Sequence, residues 1–420
     1  MRLNFSSKDT CVQISPPRDS HTGNPPVVVT GAGCVCAAGR SLEDSVASMF
    51  RGERNGSASD RIQTTHSRRY PVFEIPVGWM PDGYDESPQC LRCAGLAREA
   101  TRHAIEDAGL DADQMASRRV GVCIGTTVGS EVGNEEFYRD FADGNCPDVT
   151  PIKDYLQADP ADVVARRWGA TGLRQTVNNA CASGTVAIGQ AAAWIRSGLC
   201  DIALAGGAEH LSRISYNGFA ALQVMDAELC RPFDETRAGL NLGEGAGMVV
   251  LESGNVAAER GAIARAEIMG YGNSSDAYHA SGPHPEGAGL GRAIDLALKE
   301  AGETPENVAF VNAHGTGTWR NDQAEGRLLS GRLPGVPFLS TKGYTGHTLG
   351  AAGGLEAVFT IAFLERGRMP ASAGFSSPDP EFDANPVTQP TDVAGRIAVS
   401  GSIAFGGNNA ALVIGRVFDG

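Results

Sequence analysis

The segment TVNNACASGTVAIGQAAAWIRS, residues 176–197, predicts a short strand, a sharp turn around Cys181 and then a helix of small residues that ends before Gly198. Unpaired backbone N–H groups converge where a helix begins, so a cysteine at this turn is placed for chemistry. The helix dipole there favours the thiolate, and the cysteine N–H can serve an oxyanion hole. Position alone is equally compatible with a buried structural cysteine.

Strands and helices alternate along the rest of the chain. Further strands are predicted at residues 27–33, 120–125, 201–205, 247–251, 263–271, 308–312, 396–405 and 409–414. Helices are predicted at residues 91–108, 291–301 and 348–364. This alternation indicates an α/β protein whose sheet is mostly parallel. Gly31 and Gly33 are predicted to end the first strand in a tight turn, and Gly206 and Gly207 are predicted to close the strand at residues 201–205.

The chain resembles two rounds of one pattern, each with a buried strand, a turn that carries reactive side chains and a helix rich in Gly and Ala. We therefore predict an N-terminal half at residues 27–260, a C-terminal half at residues 261–420 and a flexible extension at residues 1–26. Gly31 and Gly33 do not make a dinucleotide fingerprint, because Cys36 stands where the third glycine is needed.

Composition limits the class of protein. The 420 residues carry 35 basic and 49 acidic side chains, a formal net charge of −14, and 42% are hydrophobic. This is the composition of a globular protein, not of a disordered chain. The acidity argues against nucleic acid and anionic membranes as partners, and no apolar run approaches the roughly 20 residues of a membrane span. The first 26 residues lack a secretory signal, so we expect a cytoplasmic protein.

The ten cysteines do not have the spacing of a zinc site. We therefore predict reduced thiols and no metal centre.

Two histidines in the second half are each surrounded by glycines, His314 in VNAHGTGT and His347 in TKGYTGHTLG. A single loop histidine is more often bonded to a carbonyl, but two of them beside a candidate nucleophile favour a Cys–His site. The turn FGGNN at residues 405–409 offers further backbone N–H groups for an oxyanion, although a structural turn is equally compatible.

Four segments, taken in order, resemble the β-ketoacyl-(acyl carrier protein) synthases: residues 178–185, 311–318, 341–356 and 405–409. The motifs RPFD at 231–234 and LGEGAG at 242–247 match the same family, and the resemblance covers residues 27 to about 416. The groups resembled are the elongating, synthase II-like enzymes and the catalytic ketosynthase subunits of type II polyketide systems. The resemblance implies the thiolase fold, with two duplicated halves in a dimeric, five-layered α-β-α-β-α unit.

Carried over by motif, the resemblance also implies residue roles. Cys181 would hold the acyl chain as a thioester, while His314 and His347 would bind the malonyl thioester and stabilise the enolate left by decarboxylation. Lys342 and Glu356 would order this catalytic site.

The remaining implied roles concern substrate access. The N–H groups of Cys181 and Phe405 would form the oxyanion hole, and the Phe405 ring would gate the entrance. Thr316 and Thr318 would bind the phosphopantetheine arm. Phe219 and Val128 are predicted to line the acyl tunnel, although both are equally good core residues.

The implied activity is an acyl transfer, the decarboxylative Claisen condensation of an acyl chain with malonyl carrier protein, in type II polyketide (polyene or aromatic) or fatty-acid synthesis. No cofactor is expected beyond the phosphopantetheine arm of the carrier. The expected partners are the acyl carrier protein and a second subunit, either an identical chain or a chain-length factor.

Four alternatives compete with this interpretation. A degradative thiolase would need a late cysteine as base, and no cysteine follows Cys230. An initiating synthase would carry Asn where His347 stands. A non-catalytic, chain-length-factor-like subunit would lack the nucleophile, which is present. A Cys–His hydrolase would leave the second histidine and Lys342 without a role.

The surface that docks the carrier departs from the family pattern. The family carries a basic stretch before the helix near Leu91, whereas this chain has Asp82, Asp85 and Glu86 there. Residues 51–70 offer a substitute, with five arginines against two acidic residues, although a solvated loop is about as compatible. The arginines are Arg51, Arg54, Arg61, Arg68 and Arg69. A partner subunit could also supply the docking face.

Overall fold

A computed structural model of the protein describes residues 25–76, 78–80, 91–129 and 134–417. Most of the predicted extension, together with Asp82, Asp85 and Glu86, therefore lies outside the described residues. The strands are β1 (Val27–Cys36), β2 (Val120–Gly125), β3 (Arg174–Val177), β4 (Ile202–Glu209), β5 (Gly245–Ser253), β6 (Ala266–Ser275), β7 (Val308–Asn312), β8 (Phe338–Leu339), β9 (Arg368–Met369), β10 (Thr391–Asp392), β11 (Ile397–Ala404) and β12 (Asn408–Arg416).

The α-helices are α1 (Leu42–Phe50), α2 (Arg92–Asp107), α3 (Ala112–Ala116), α4 (Glu135–Ala142), α5 (Thr150–Gln157), α6 (Pro160–Trp168), α7 (Ser183–Arg196), α8 (Arg213–Ala221), α9 (Gly254–Glu259), α10 (Ala288–Ala301), α11 (Trp319–Arg332), α12 (Lys342–Thr345) and α13 (Ala352–Arg366). Short 3₁₀ turns lie at Pro305–Asn307, Leu349–Ala351 and Phe405–Gly407. The predicted strands and helices are confirmed, with ends that differ by a few residues. In the described part of the chain, no helix has both the length and the apolar character needed to cross a membrane.

Ten strands form one sheet whose two halves repeat the same topology. The strand order is β3-β2-β4-β5-β1-β6-β12-β11-β7-β8. In each half three strands run parallel, β3-β2-β4 and β8-β7-β11, and two more continue antiparallel. The halves meet where Val28 and Val29 of β1 pair with β6. The predicted duplication is confirmed.

The sheet is mixed, so the prediction of a mostly parallel sheet is wrong. The strands β11 and β12 are joined only by the turn Phe405–Gly407 and run antiparallel. A turn this short cannot make the crossover that parallel neighbours require.

Helices separate the two halves of the sheet and cover their outer faces. Both α7 and α13 pack against strands from both halves, while α2 covers the first half and α10 covers the second. One hydrophobic core surrounds α7 and α13, and two others lie beneath α2 and α10. The predicted five-layered α-β-α-β-α thiolase fold is confirmed.

Glycines within strands allow helices to approach the sheet closely. A Cβ atom at Gly31 would lie 2.1 Å from the carbonyl oxygen of Ala104 on α2, and one at Gly33 would lie 2.4 Å from that of Ala100. Both glycines lie inside β1, and Gly206 and Gly207 lie inside β4. The predicted tight turn at Gly31 and Gly33 and the predicted strand end at Gly206 and Gly207 are therefore wrong, because these glycines make room for a neighbouring backbone.

The contact of α13 with the sheet can be tested by substitution. A Cβ atom at Gly354 would lie 2.5 Å from the backbone nitrogen of Gly207 and 2.5 Å from the carbonyl oxygen of Gly247. Since backbone atoms cannot rotate away, Gly354→Ala should lower the free energy of unfolding in urea by about 1–3 kcal/mol.

Gly331 provides the matched control, because it lies on α11 and a Cβ atom built there would have no neighbour within 4 Å. Gly331→Ala should raise stability by about 0.5–1 kcal/mol. Equal effects of the two substitutions would contradict the packing argument.

Candidate active site

Cys181 lies at the tip of a strained turn between β3 and α7. Ala180 adopts a φ of +48°, which is uncommon for a residue other than glycine. The Ser183 hydroxyl holds this turn, accepting from the Asn179 N–H at 2.8 Å and donating to the Ala180 carbonyl at 2.6 Å. The cysteine is thereby fixed just before the first turn of α7, with 5% of its surface exposed.

Two histidines from the second half approach this cysteine. His347 Nε2 lies 3.1 Å from Cys181 Sγ. The His314 ring stands nearly perpendicular to that of His347, with centroids 5.2 Å apart. His347 is positioned by its backbone, which donates to the Asn241 carbonyl at 2.7 Å and accepts from the Gly243 N–H at 3.0 Å. The predicted Cys181, His314 and His347 therefore line one cavity of about 440 Å³.

Two buried carboxylates on α11 hold the loop that carries His314. Glu325 accepts the N–H groups of His314 and Gly315 at 2.7 and 2.8 Å. Asp322 accepts the Thr316 N–H at 2.9 Å and that of Gly317 at 3.0 Å. Sequence analysis missed both residues. Two carboxylates three positions apart in the helix that follows a glycine-rich loop are the signal that could have identified them.

Lys342 and Glu356 form a buried ion pair behind His314. The ammonium contacts Glu356 Oε1, and it lies 3.2 Å from His314 Nδ1. It also donates to the His314 carbonyl at 2.5 Å. Glu356 Oε2 has no hydrogen-bond partner among the described residues. These two predicted residues are therefore brought together with His314.

Burial controls the protonation of the site. It lowers the pKa of both His314 and His347 well below the ordinary histidine value, and the charge of Lys342 lowers both further. Both imidazoles are therefore neutral near pH 7, where each has one ring nitrogen that donates and one that accepts. Burial also raises the pKa of Glu356 to about 7, against the opposing effect of Lys342.

Burial and the helix terminus act in opposite directions on the pKa of the cysteine. Burial raises the pKa of the Cys181 thiol to about 12, although Lys342 and the backbone amides of Phe405 and Cys181 lower it. Desolvation therefore outweighs the helix terminus, which by itself favours the thiolate. The neutral His347 at 3.1 Å can accept the thiol proton when the sulfur attacks.

The other predicted residues divide into two groups. Phe405, Phe219, Thr316 and Thr318 line the same cavity as Cys181. The rings of Phe219 and Phe405 stack with centroids 5.6 Å apart. Val128 does not line this cavity, and its N–H donates to Glu209 Oε1 at 3.3 Å.

Glu209 also belongs to a buried group of three metal-ligand types, with Cys93 and His210, whose ligand atoms lie within 4.8 Å of one another. However, the Glu209 carboxylate accepts the N–H and hydroxyl groups of Thr127, the Thr126 hydroxyl and the N–H groups of Val128 and Gly350. These bonds tie the loop after β2 to the turn before α13.

Comparisons with known proteins agree with this geometry. Residues 24–257 match the family "Beta-ketoacyl synthase, N-terminal domain", and residues 265–376 match "Beta-ketoacyl synthase, C-terminal domain". The chain is 34% identical to the 3-oxoacyl-[acyl-carrier-protein] synthase 2 of Staphylococcus aureus (strain COL), over 93% of this chain and 98% of the relative.

Solved structures that resemble this chain include ketosynthases. A chain of the ishigamide ketosynthase/chain length factor is 31% identical, with a TM-score of 0.86 over 94% of this chain and 100% of that one. A chain of a type II polyketide synthase complex, an acyl carrier protein with its ketosynthase bound to the hexaketide, has the same TM-score and coverage and 28% identity. The predicted family is confirmed.

The buried ion pair makes stability depend on pH in a defined direction. Lys342→Met leaves Glu356 buried without its cation, which should cost about 3–5 kcal/mol near pH 8. Without the lysine, the pKa of Glu356 rises above about 7, whereas in the unfolded chain it is about 4.3. A folded pKa above the unfolded one means that stability falls as pH rises between the two values. The loss should therefore be larger at pH 8 than at pH 5.5, measured by urea unfolding.

The double variant Lys342→Met with Glu356→Gln provides the control, because it removes both charges. It should lose less stability and lack the pH dependence. A loss in the single variant that is equal at both pH values would argue against a buried, ionised Glu356.

Proposed function

This chain belongs to the β-ketoacyl synthase family, and from that premise we propose that it condenses an acyl chain held on Cys181 with malonyl carrier protein, in fatty-acid or type II polyketide synthesis. The observation that carries the proposal is the 3.1 Å contact between Cys181 Sγ and His347 Nε2, with His314 in the same cavity. A chain-length-factor-like subunit, the non-catalytic alternative, would not need this nucleophile and its two imidazoles.

In the first half-reaction the acyl group moves to the enzyme. Cys181 Sγ attacks the thioester carbonyl of the acyl carrier protein while His347 accepts the thiol proton. The oxyanion accepts hydrogen bonds from the backbone N–H groups of Cys181 and Phe405, whose amides already act on the sulfur. The carbonyl–sulfur bond to the carrier breaks, and the arm leaves as a thiol with the proton from His347.

In the second half-reaction malonyl carrier protein enters the same cavity. The bond between its α-carbon and its carboxylate breaks, carbon dioxide leaves, and the electron pair moves onto the thioester oxygen. Neutral His314 and His347 donate N–H bonds to this enolate oxygen without being acidic enough to quench the carbanion. His314 donates from Nε2, because its Nδ1 faces the Lys342 ammonium, and His347 donates in the tautomer that carries its proton on Nε2. The carbanion attacks the Cys181 thioester, which releases the β-ketoacyl carrier and a thiolate that is then reprotonated.

Lys342 acts as a positioning residue. Its charge favours neutral imidazoles, and its bonds to the His314 ring and carbonyl hold that side chain. Thr316 and Thr318 at the cavity wall contact the phosphopantetheine arm in this proposal, and Phe405 gates the entrance. The proposed chemistry assigns no cofactor other than the arm of the carrier, which arrives as substrate.

The nucleophile can be tested by intact-mass spectrometry after incubation with acyl carrier proteins from two to sixteen carbons. A mass increase should appear in the unaltered protein and be lost in Cys181→Ala. The matched control is Cys93→Ala, since Cys93 is buried but does not line the cavity. Acylation that survives Cys181→Ala, or is lost in Cys93→Ala, would refute the assignment. The preferred chain length then separates fatty-acid from polyketide use.

The role of the two histidines can be distinguished from that of the nucleophile by measuring carbon dioxide release. Cys181→Gln should still decarboxylate malonyl carrier protein, because both imidazoles remain. His314→Ala and His347→Ala should each reduce condensation by about 10²–10⁴-fold, the usual range for one such group. Acylation of Cys181 should persist in His314→Ala but slow in His347→Ala, because His347 is the group that accepts the thiol proton. Full condensation activity in both histidine variants would contradict the two-histidine mechanism.

We infer that a second chain, identical or a chain-length factor, covers the outer edge of β3. Among the described strands, β3 lies at one end of the sheet and pairs only with β2. Unpaired strand edges are normally covered. We propose that the same partner also covers the helices α4 and α5, which contain no buried residue and expose Tyr138, Phe141 and Leu156. Exposed apolar groups of this kind mark interaction surfaces.

This assembly predicts a change in mass. Phe141→Asp combined with Leu156→Asp should convert a dimer to a monomer in sedimentation equilibrium, because two charges would be buried at the contact. Ile263→Asp, an exposed apolar position before β6, provides the control and should leave the mass unchanged. A dimer that persists in the double variant would show that the interface lies elsewhere on the chain.

A further inference from the structure

We propose that the carrier protein docks on this chain through an apolar rim with one cation, and not through a basic patch. The rim consists of Leu222, Trp319 and Arg320, which line the mouth of the cavity that holds Cys181. The inference rests on the proposed function, since it concerns the protein that delivers the acyl thioester.

The rim is both exposed and connected to the reacting sulfur. Leu222 is 52% exposed and Trp319 is 49% exposed, and both line the same cavity as Cys181 and His347. A large exposed apolar group on a soluble protein is most informative where it borders a site. A donor that extends an arm to Cys181 must cover this opening. The side chains of the rim therefore contact the docked donor and determine which surface of it they bind.

Trp319 is held in place before any partner arrives. The guanidinium of Arg237 lies 4.3 Å from the centre of the indole and donates to the Trp319 carbonyl at 3.2 Å. Arg237 itself is buried and paired with Asp379 at 2.5 Å. A tryptophan fixed from below loses little side-chain freedom on binding, which is the property of an interface anchor.

The arginines predicted as a docking patch are largely engaged elsewhere. Arg51 pairs with Glu53, and Arg61 pairs with Glu74 and the buried Glu244. Arg54 donates to the carbonyls of Gly343 and Cys230. The stretch at residues 81–90 contains no Lys or Arg.

Arg320, by contrast, has no ion pair or side-chain hydrogen bond within the described ranges. It is therefore the cation at the mouth that can meet an anion of the carrier. That anion is either the phosphate of the arm or a carboxylate beside it. With a chain charge of −14, long-range attraction of an acidic carrier is weak, so apolar contact must supply most of the affinity.

The experiment compares two acyl donors, the acyl carrier protein and the same acyl group on free pantetheine, which has neither protein nor phosphate. Leu222→Ala and Trp319→Ala should lower kcat/KM for acylation of Cys181 by tenfold or more with the carrier, and by less than twofold with pantetheine. Ile263→Ala, 62% exposed and absent from the cavity lining, provides the matched control and should change neither. Trp319→Phe should recover most of the loss.

Salt distinguishes apolar from basic docking. Raising sodium chloride from 50 to 500 mM should change kcat/KM with the carrier by less than about threefold, because charge pairs are screened and apolar contacts are not. Arg320→Ala should lower transfer from the carrier. If transfer from acyl-phosphopantetheine falls as well, the anion is the phosphate; if it does not, the anion is a carboxylate of the carrier.

Two results would overturn the proposal that the carrier docks on the rim. One is an equal loss with carrier and pantetheine in the Leu222 and Trp319 variants, and the other is a tenfold or greater fall with salt. No transfer from either donor to the unaltered chain would instead overturn the proposed function, and the inference with it.

Discussion

The site depends on the contact between α7 and α13, two helices from opposite halves whose backbones approach closely at glycines. A Cβ atom at Gly184 would lie 2.6 Å from the Gly354 nitrogen, and one at Gly353 would lie 2.5 Å from the Thr185 nitrogen. This close approach brings the first turns of both helices together. Cys181 precedes one helix and His347 precedes the other, so the 3.1 Å contact between them follows from the helix packing.

The electrostatics of the site follow from the same burial. A cysteine, two histidines, a lysine and a glutamate lie in a region that excludes most water. Desolvation favours the neutral form of each group, so the histidines stay unprotonated and the thiol keeps its proton. The exception is the ion pair of Lys342 and Glu356, in which each charge compensates the other. One buried cation thus biases both imidazoles towards the form that enolate stabilisation requires.

The chemistry and its delivery occupy different parts of the molecule. The reacting groups lie on turns fixed by buried carboxylates, as when Glu325 holds the backbone of His314. The mouth of the cavity is formed by exposed side chains at the ends of α8 and α11, Leu222 and Trp319. Substitutions at the mouth can therefore change which carrier is accepted without moving the histidines.

The order of the main strands and of the helices α2, α7, α10 and α13 was determined by sequence alone, because hydrophobic runs and small-residue turns are local signals. The four motifs also determined the family and the positions of Cys181, His314 and His347. Their spatial meeting, and the roles of Asp322 and Glu325, depend on contacts between elements far apart in the chain, which periodicity does not report.

Only the tertiary structure decided three properties: the role of the glycines in β1, the pKa of the Cys181 thiol and the engagement of the arginines at residues 51–70. Gly31 and Gly33 looked like a turn, yet they admit α2 against the strand. A helix terminus favours the thiolate at Cys181, whereas burial, which the sequence does not report, raises the pKa of the thiol. Arg54 and Arg61 looked free because their partners, the Gly343 carbonyl and Glu244, are nearly 200 residues or more distant in the chain. In each case the missing quantity was the surroundings of a residue, which the chain acquires only on folding.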